Sequence, residues 1–216
     1  MLKAVFMDYY GTVVHENGPI TMEVVKRIYR NNTASSPQEV FGFWWKSFKK
    51  KLDESNGEDF RTQHDVALDA FEETLEYFRS PEHAGELLAR MEEHWCTTPP
   101  FEDALEFLDR VKLPVYFVTN CDDRYVYASL EKYNIHPQGV ITSEQAKYSK
   151  PREEIFLYAL EKAGLNADEV IHIGDSPESD VRCPGRAGIT GIWLNREGAP
   201  VPEGIRSVRS LAEIEL

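Results

Sequence analysis

The sequence predicts an α/β fold, a doubly wound parallel sheet carrying a helical bundle inserted after its first strand. Short apolar runs rich in β-branched and aromatic residues recur along the second half of the chain, each preceded by a stretch of helical periodicity. That alternation builds a parallel sheet with helices on both faces. A run of the same kind stands alone at the start of the chain. Between it and the next lie roughly a hundred residues without a strand pattern, far more than one crossover helix needs.

Taken in order, residues 2–7 form a short apolar run that ends at Asp8 and meets a turn signal at Gly11-Thr12, the mark of a strand buried on both faces. The inserted stretch starts irregularly over residues 22–28. It then repeats at helical spacing through Phe41, Trp44, Trp45, Phe48 and Leu52, through Leu68, Phe71, Leu75 and Phe78, and through Ala84, Leu87, Leu88 and Met91. Roughly four helices result, enough for a small bundle. Pro99-Pro100 closes it, because a residue before proline leaves the helical region. Leu105, Leu108 and Val111 then share a helical face, and Ile155 to Ala163 surround a second buried stripe. Strands are expected at 113–119, 139–142, 170–173 and 189–194, and a short terminal helix at 211–214. The expected division is an α/β core of residues 1–14 and 98–216 with a helical cap at 15–97. No repeat or low-complexity tract interrupts it.

At 216 residues with 42% hydrophobic and 12% aromatic residues, the chain has apolar surface enough for a core. Its net charge of -13 repels phosphate backbones and anionic lipid, which argues against nucleic acid and membrane as partners. A small anionic metabolite would need a local cation to reverse that field, so a metal ion is suspected early. Cys96, Cys121 and Cys183 are odd in number and show no CxxC spacing, which suggests neither a disulfide framework nor a thiolate zinc site. The histidines form no HxH, HxxxH or HExxH pair. With no long apolar run, membrane insertion and secretion are disfavoured and a cytoplasmic location is expected. Monomer or homodimer is left open.

In open parallel sheets ligands sit beyond the carboxyl ends of the strands. That rule brings Asp8, Thr119-Asn120 and Gly174-Asp175 to one crevice, with the inserted bundle above it as a lid. A strand-end carboxylate such as Asp8 can act as a nucleophile, although alone it reads more readily as a turn-initiating or capping aspartate. Asp175 and Asp180 straddle a strand-to-helix turn and offer hard oxygen ligands suited to Mg²⁺; alone, they read as an Asx turn and a cap.

Together, Asp8-Tyr9-Tyr10-Gly11-Thr12, Thr119-Asn120, Lys150-Pro151 and Gly174-Asp175 through Asp180 resemble the four ordered motifs of the haloacid dehalogenase superfamily, in the branch with a helical cap after the first motif. The resemblance runs across nearly the whole chain and implies a Rossmann-like core. It implies that Asp8 attacks to form an aspartyl intermediate that water later hydrolyses. Thr119 and the backbone amide of Asn120 would hold the oxygens of the transferring group, and Lys150 would neutralise charge. Mg²⁺ would be bound by Asp8, the carbonyl of Tyr10 and Asp175, with Asp180 supporting the ion or the lysine.

One position departs from the phosphatase pattern. Phosphotransferring members carry a second aspartate two residues after the nucleophile as general acid and base, and here that residue is Tyr10. A phenol of ordinary pKa ~10 is a poor base at neutral pH. The Asp-x-Tyr-Gly-Thr form resembles instead the 2-haloacid dehalogenases, which need no metal and receive the halide on a cap arginine. Residues 41–46 offer no arginine, and Arg61 is the nearest downstream. Weighing the aspartates and Lys150 more heavily, the expected activity is a Mg²⁺-dependent phosphatase-type hydrolysis of a small phosphorylated metabolite. Dehalogenase-type chemistry is the alternative, and a catalytically weak fold that binds a phosphorylated ligand comes third. The aromatic stripe at residues 41–48 is expected to be mainly cap core with one or two rings on the crevice. His15 is expected to be a loop histidine and His172 a satisfied buried one.

Overall fold

Alternation along the buried strands decides the architecture. In the computed structural model, which describes residues 1–30 and 32–216, strands β1 (Ala4–Met7), β2 (Val115–Thr119), β3 (Gly139–Thr142), β4 (Val170–Gly174), β5 (Thr190–Leu194) and β6 (Ser207–Val208) form one sheet in the order β3-β2-β1-β4-β5-β6. All the pairings are parallel. Successive side chains of a strand point to opposite faces. Accordingly Val5, Met7, Phe117, Ile171 and Ile173 join one apolar cluster, while Phe6, Val118, Ile141 and Val170 join another. A sheet apolar on both faces must be covered on both, which is the doubly wound arrangement.

The bundle is built from α1 (Pro19–Tyr29), α2 (Pro37–Glu54), α3 (Gln63–Phe78) and α4 (Ala84–Thr97). Ser36 starts α2 by accepting from the Glu39 amide, with Pro37 at the first helical position. Val24, Ile28, Val40, Trp44, Phe71, Leu87 and Met91 meet in its interior, each such side chain contributing about 1.5–3 kcal/mol on burial. On the core, α5 (Glu102–Arg110) and α6 (Asp123–Tyr133) supply Ala104, Phe107, Val126 and Leu130 to one face of the sheet. The other face receives Ala146 of α7 (Ser143–Ala146), Ile155, Phe156 and Ala159 of α8 (Glu154–Ala163), and Cys183 of α9 (Cys183–Arg186).

Two seams tie bundle to core. After Asp8 the chain turns through Gly11 (φ +90), and Val14 and His15 run beside Pro99 and Pro100, so the paths out and back lie together. At the second seam Asp122, ahead of α6, accepts from the amides of Gln63 (2.6 Å) and His64 (3.0 Å) and so caps α3 from outside. Tyr125 of α6 donates to Glu92 of α4 at 2.6 Å.

Where the fold departs from expectation, length is the reason. β6 has two residues, too few for alternation to register, and the terminal helix is a single 3₁₀ turn at Leu211–Glu213. Beyond β4 the chain forms a π-helical turn, Pro177–Arg182, which no sequence period announces. No helix among the described residues is long and apolar enough to cross a membrane.

Candidate active site

The parallel register sets Met7 beside Phe117 and Ile173, so the residues that follow these three strands leave the sheet at one edge. A crevice of about 270 Å³ opens there between the strand ends and the bundle. Asp8, Tyr10, Thr119, Asn120, Lys150, Asp175 and Asp180 all line it. Four separate stretches of sequence thus contribute to one wall.

Lys150 lies at the centre. Its ammonium donates to Asp8 Oδ1 at 2.6 Å and to Asp180 Oδ1 at 2.7 Å, with all three side chains buried. The lysine is aimed by a contact the motifs do not reveal. The Asn120 side chain donates to the Lys150 carbonyl and accepts from the Lys150 amide, both at 2.7 Å. Asn120 therefore holds the lysine backbone through its side chain, in addition to any part played by its own amide.

Asp180 is saturated with donors. Besides Lys150 it accepts from His172 Nε2 at 3.0 Å and from the Ser176 amide at 2.9 Å. Burial alone would raise its pKa, but Lys150 and His172 overcome this and hold it below the usual carboxylate range. His172 corrects the expectation of a satisfied buried histidine. Facing a carboxylate, its Nε2 carries the proton, and Nδ1 is buried with no hydrogen-bond partner among the described residues. Burial keeps the ring neutral. Its link to Asp180 runs from β4 to the π-helical turn eight residues on, and no sequence period announces it.

Asp8, Asp175 and Asp180 each offer a carboxylate oxygen, and these lie within 4.8 Å of one another. Burial raises Asp8 to about 6, with Lys150 pulling down and Asp180 pushing up. Burial also raises Asp175 well above its ordinary range, reinforced by Asp8, Asp180 and Glu16. Two glycines make this crowding sterically possible. A Cβ on Gly11 would stand 2.4 Å from Asp175 Oδ2, and one on Gly174 would stand 2.3 Å from Asp180 Cγ. Gly174→Ala is expected to expel Asp180 from beneath Lys150. It should cost about 1–3 kcal/mol, as overpacking does, together with most of the turnover. The denaturant midpoint and the hydrolysis rate measured on the same preparation check both effects.

Tyr10 lines the crevice, yet its hydroxyl donates to the carbonyl of Trp95 at 2.8 Å. Burial raises its pKa well above 10. The phenol ties the first motif to α4, and its proton is committed to that carbonyl and held tightly at neutral pH. His15 packs its ring on Phe101, 3.8 Å between centroids, and is not among the lining residues. The aromatic stripe belongs to the bundle core, as expected, but three rings rather than one or two also line the crevice, Trp44, Trp45 and Phe48, whereas Phe43 stacks on Tyr77 at 4.3 Å. Helical periodicity marks a buried stripe and does not distinguish a core from a crevice wall. Arg61 pairs with Asp69 at 2.6 Å and does not line the crevice. Glu16, Lys49, Asp53, Gln63 and Trp95 are among the other lining residues, and no motif flags them.

A family model described as haloacid dehalogenase-like hydrolase matches residues 2–188. Over 129 residues the chain is 42% identical to the pyrimidine 5'-nucleotidase YjjG of Escherichia coli (strain K12). That stretch spans 56% of this chain and 56% of YjjG, about half of the relative's length. The (S)-2-haloacid dehalogenase 4A of Burkholderia cepacia is 23% identical over 208 residues, 92% of this chain and 85% of that one. The L-2-haloacid dehalogenase from Xanthobacter autotrophicus superposes with a TM-score of 0.78 at 16% identity, covering 98% of this chain and 96% of the other, a likeness of fold.

Proposed function

The chain belongs to the haloacid dehalogenase-like hydrolases, and on that footing we propose that it hydrolyses a small phosphomonoester by Mg²⁺-assisted transfer of the phosphoryl group to Asp8. The observation that carries the reading is the buried Lys150 ammonium held between Asp8 and Asp180 with Asp175 beside them. Three carboxylates confront one ammonium, an excess of negative charge that a divalent cation relieves. The donor set fits such an ion: hard oxygens within 4.8 Å of one another, with Gly11 leaving room for Asp175.

Asp8, Asp175 and the main-chain carbonyl of Tyr10 would hold the cation. Asp180, already engaged by three donors, serves mainly to orient Lys150. Bound there, such an ion would neutralise charge as an anionic nucleophile meets an anionic phosphoryl group. Asp8 Oδ attacks phosphorus, and the ester oxygen leaves on the opposite side. Lys150 balances charge beside the attacking carboxylate, while the Thr119 hydroxyl and the Asn120 amide receive phosphoryl oxygens. Trp44, Trp45, Phe48 and Trp95 receive the organic part of the ester, because an aromatic wall excludes water and favours a flat or apolar group.

Release of inorganic phosphate from a panel of phosphomonoesters, nucleoside monophosphates included, with Mg²⁺ and again after chelation, tests the proposal. Turnover that survives chelation overturns the metal's part. A second reading, hydrolytic dehalogenation of a short 2-haloacid, is favoured by Tyr10 and by the similarity to dehalogenase 4A along most of the chain. Lys49 and Lys150 are the cationic side chains lining the crevice, and no arginine joins them among the described residues. Halide release measured without metal decides this reading, and its absence above background removes it.

A further inference from the structure

We propose that Glu16, on the segment leading from β1 into α1, is the proton donor and acceptor of this site, in place of the aspartate whose position Tyr10 occupies. The inference deepens the phosphatase reading and rests on it.

The ionisable side chains lining the crevice are Asp8, Tyr10, Glu16, Lys49, Asp53, Lys150, Asp175 and Asp180. Asp8, Lys150 and Asp180 are joined to one another, Asp175 completes the carboxylate cluster, and the Tyr10 hydroxyl is engaged by Trp95. Three groups are left for proton transfer. Lys49 and Asp53 sit one turn apart on α2, and Asp53 senses Lys49, Arg152 and Glu54 but none of the reacting carboxylates. Glu16 senses Asp8 and Asp180, and Asp175 in turn senses Glu16. It is the remaining lining acid whose charge couples to the reacting centre, and it lies outside the tight carboxylate cluster.

The backbone holds Glu16 in place. The Glu16 carbonyl accepts from His94 Nε2 of α4 at 2.9 Å; since a carbonyl only accepts, that nitrogen carries the proton. His94 is buried and burial lowers its pKa, so the ring is neutral at physiological pH. Gly18 lets it approach, as a Cβ there would stand 3.2 Å from His94 Cε1. The charged groups that share the crevice with Glu16 and whose fields reach its carboxyl are Asp8 from β1, Asp175 and Asp180 from beyond β4, and Lys49 from α2. Withdrawal from bulk water into the crevice, then Asp8 and Asp180, push it up to about 7, with Lys49 opposing. The residue as a whole is exposed at the mouth of the crevice, where water and a departing alcohol reach it. An acid titrating near neutrality serves both half-reactions.

In the first, Asp8 Oδ forms a bond to phosphorus and the bond from phosphorus to the ester oxygen breaks. Its electron pair stays on that oxygen, which takes the Glu16 proton and departs as the alcohol. In the second, the Glu16 carboxylate takes a proton from water as the water oxygen bonds to phosphorus. The bond to Asp8 breaks, releasing phosphate and regenerating Asp8 and protonated Glu16.

The test compares kcat/KM of wild type, Glu16→Gln and Glu16→Asp, in Mg²⁺, on p-nitrophenyl phosphate and on glycerol phosphate. An alkoxide leaving group needs a proton and a nitrophenolate hardly does. Glu16→Gln is expected to lower kcat/KM for glycerol phosphate by about 10²-fold or more, at least about tenfold beyond its effect on the aryl ester. The alkaline limb of the pH profile should vanish in Glu16→Gln and persist in Glu16→Asp. Equal losses on the two esters, or an alkaline limb retained in Glu16→Gln, overturn the role of Glu16 while leaving the phosphatase reading intact. A wild type that releases phosphate from neither ester overturns that reading and the inference with it.

Discussion

Asp8→Asn is expected to abolish turnover, lowering kcat by on the order of 10⁴-fold or more, as loss of a covalent nucleophile does. The effect should be this large because the crevice offers no second nucleophile in the same place. Asp180 is held by Lys150, His172 and the Ser176 amide, whereas Asp175 pairs with no ammonium among the described residues. Asparagine keeps the shape of the side chain and its contact with Lys150, so the variant should fold and retain substrate affinity. The measurement is steady-state phosphate or halide release, paired with ligand-induced stabilisation in thermal unfolding. A fold that only bound its ligand would keep the stabilisation and lose nothing measurable in turnover. A residual rate within tenfold of wild type would remove Asp8 from the chemistry.

Lys150→Met should be the most damaging substitution for the fold. Methionine fills much the same volume, but it strands Asp8 and Asp180 in a buried place with no counter-charge. Removing one partner of a buried pair costs about 3–5 kcal/mol. The pH dependence distinguishes charge from packing. In the wild type Asp180 is held below its unfolded value, so its contribution is present above about pH 4 and is lost as pH falls through the folded pKa. In Lys150→Met the main opposition to burial is gone, with only His172 and the Ser176 amide left on Asp180, and the folded carboxyls are expected to titrate above their unfolded values. They then destabilise increasingly as pH rises through the unfolded pKa. The gap between the two proteins should be widest near neutral pH and narrow below about pH 4. Urea midpoints across that range measure it. A gap independent of pH would assign the loss to packing.

The aspartates, the lysine and the strand ends were legible in the sequence because they depend on local rules. A buried strand must be apolar, a strand of a parallel sheet presents its ligand residues beyond its carboxyl end, and a motif keeps its spacing along the chain. Periodicity likewise showed the helices of the insertion, since an amphipathic stripe is a property of a single helix. Three things were decided only when distant segments met. Asn120 clamps Lys150 across 30 positions, a pairing that no period encodes. The Trp44 and Phe48 stripe turned out to face the crevice as well as the bundle interior, because periodicity reports which side of a helix is covered and not by what. Tyr10 read as a weak base in sequence, whereas the fold spends its hydroxyl on Trp95, 85 residues away, and brings Glu16 to the same crevice. Residue types and strand ends follow from short-range sterics and burial, while proton positions and charge partners depend on distances of a few ångströms between segments far apart in the chain, which the packed fold alone sets.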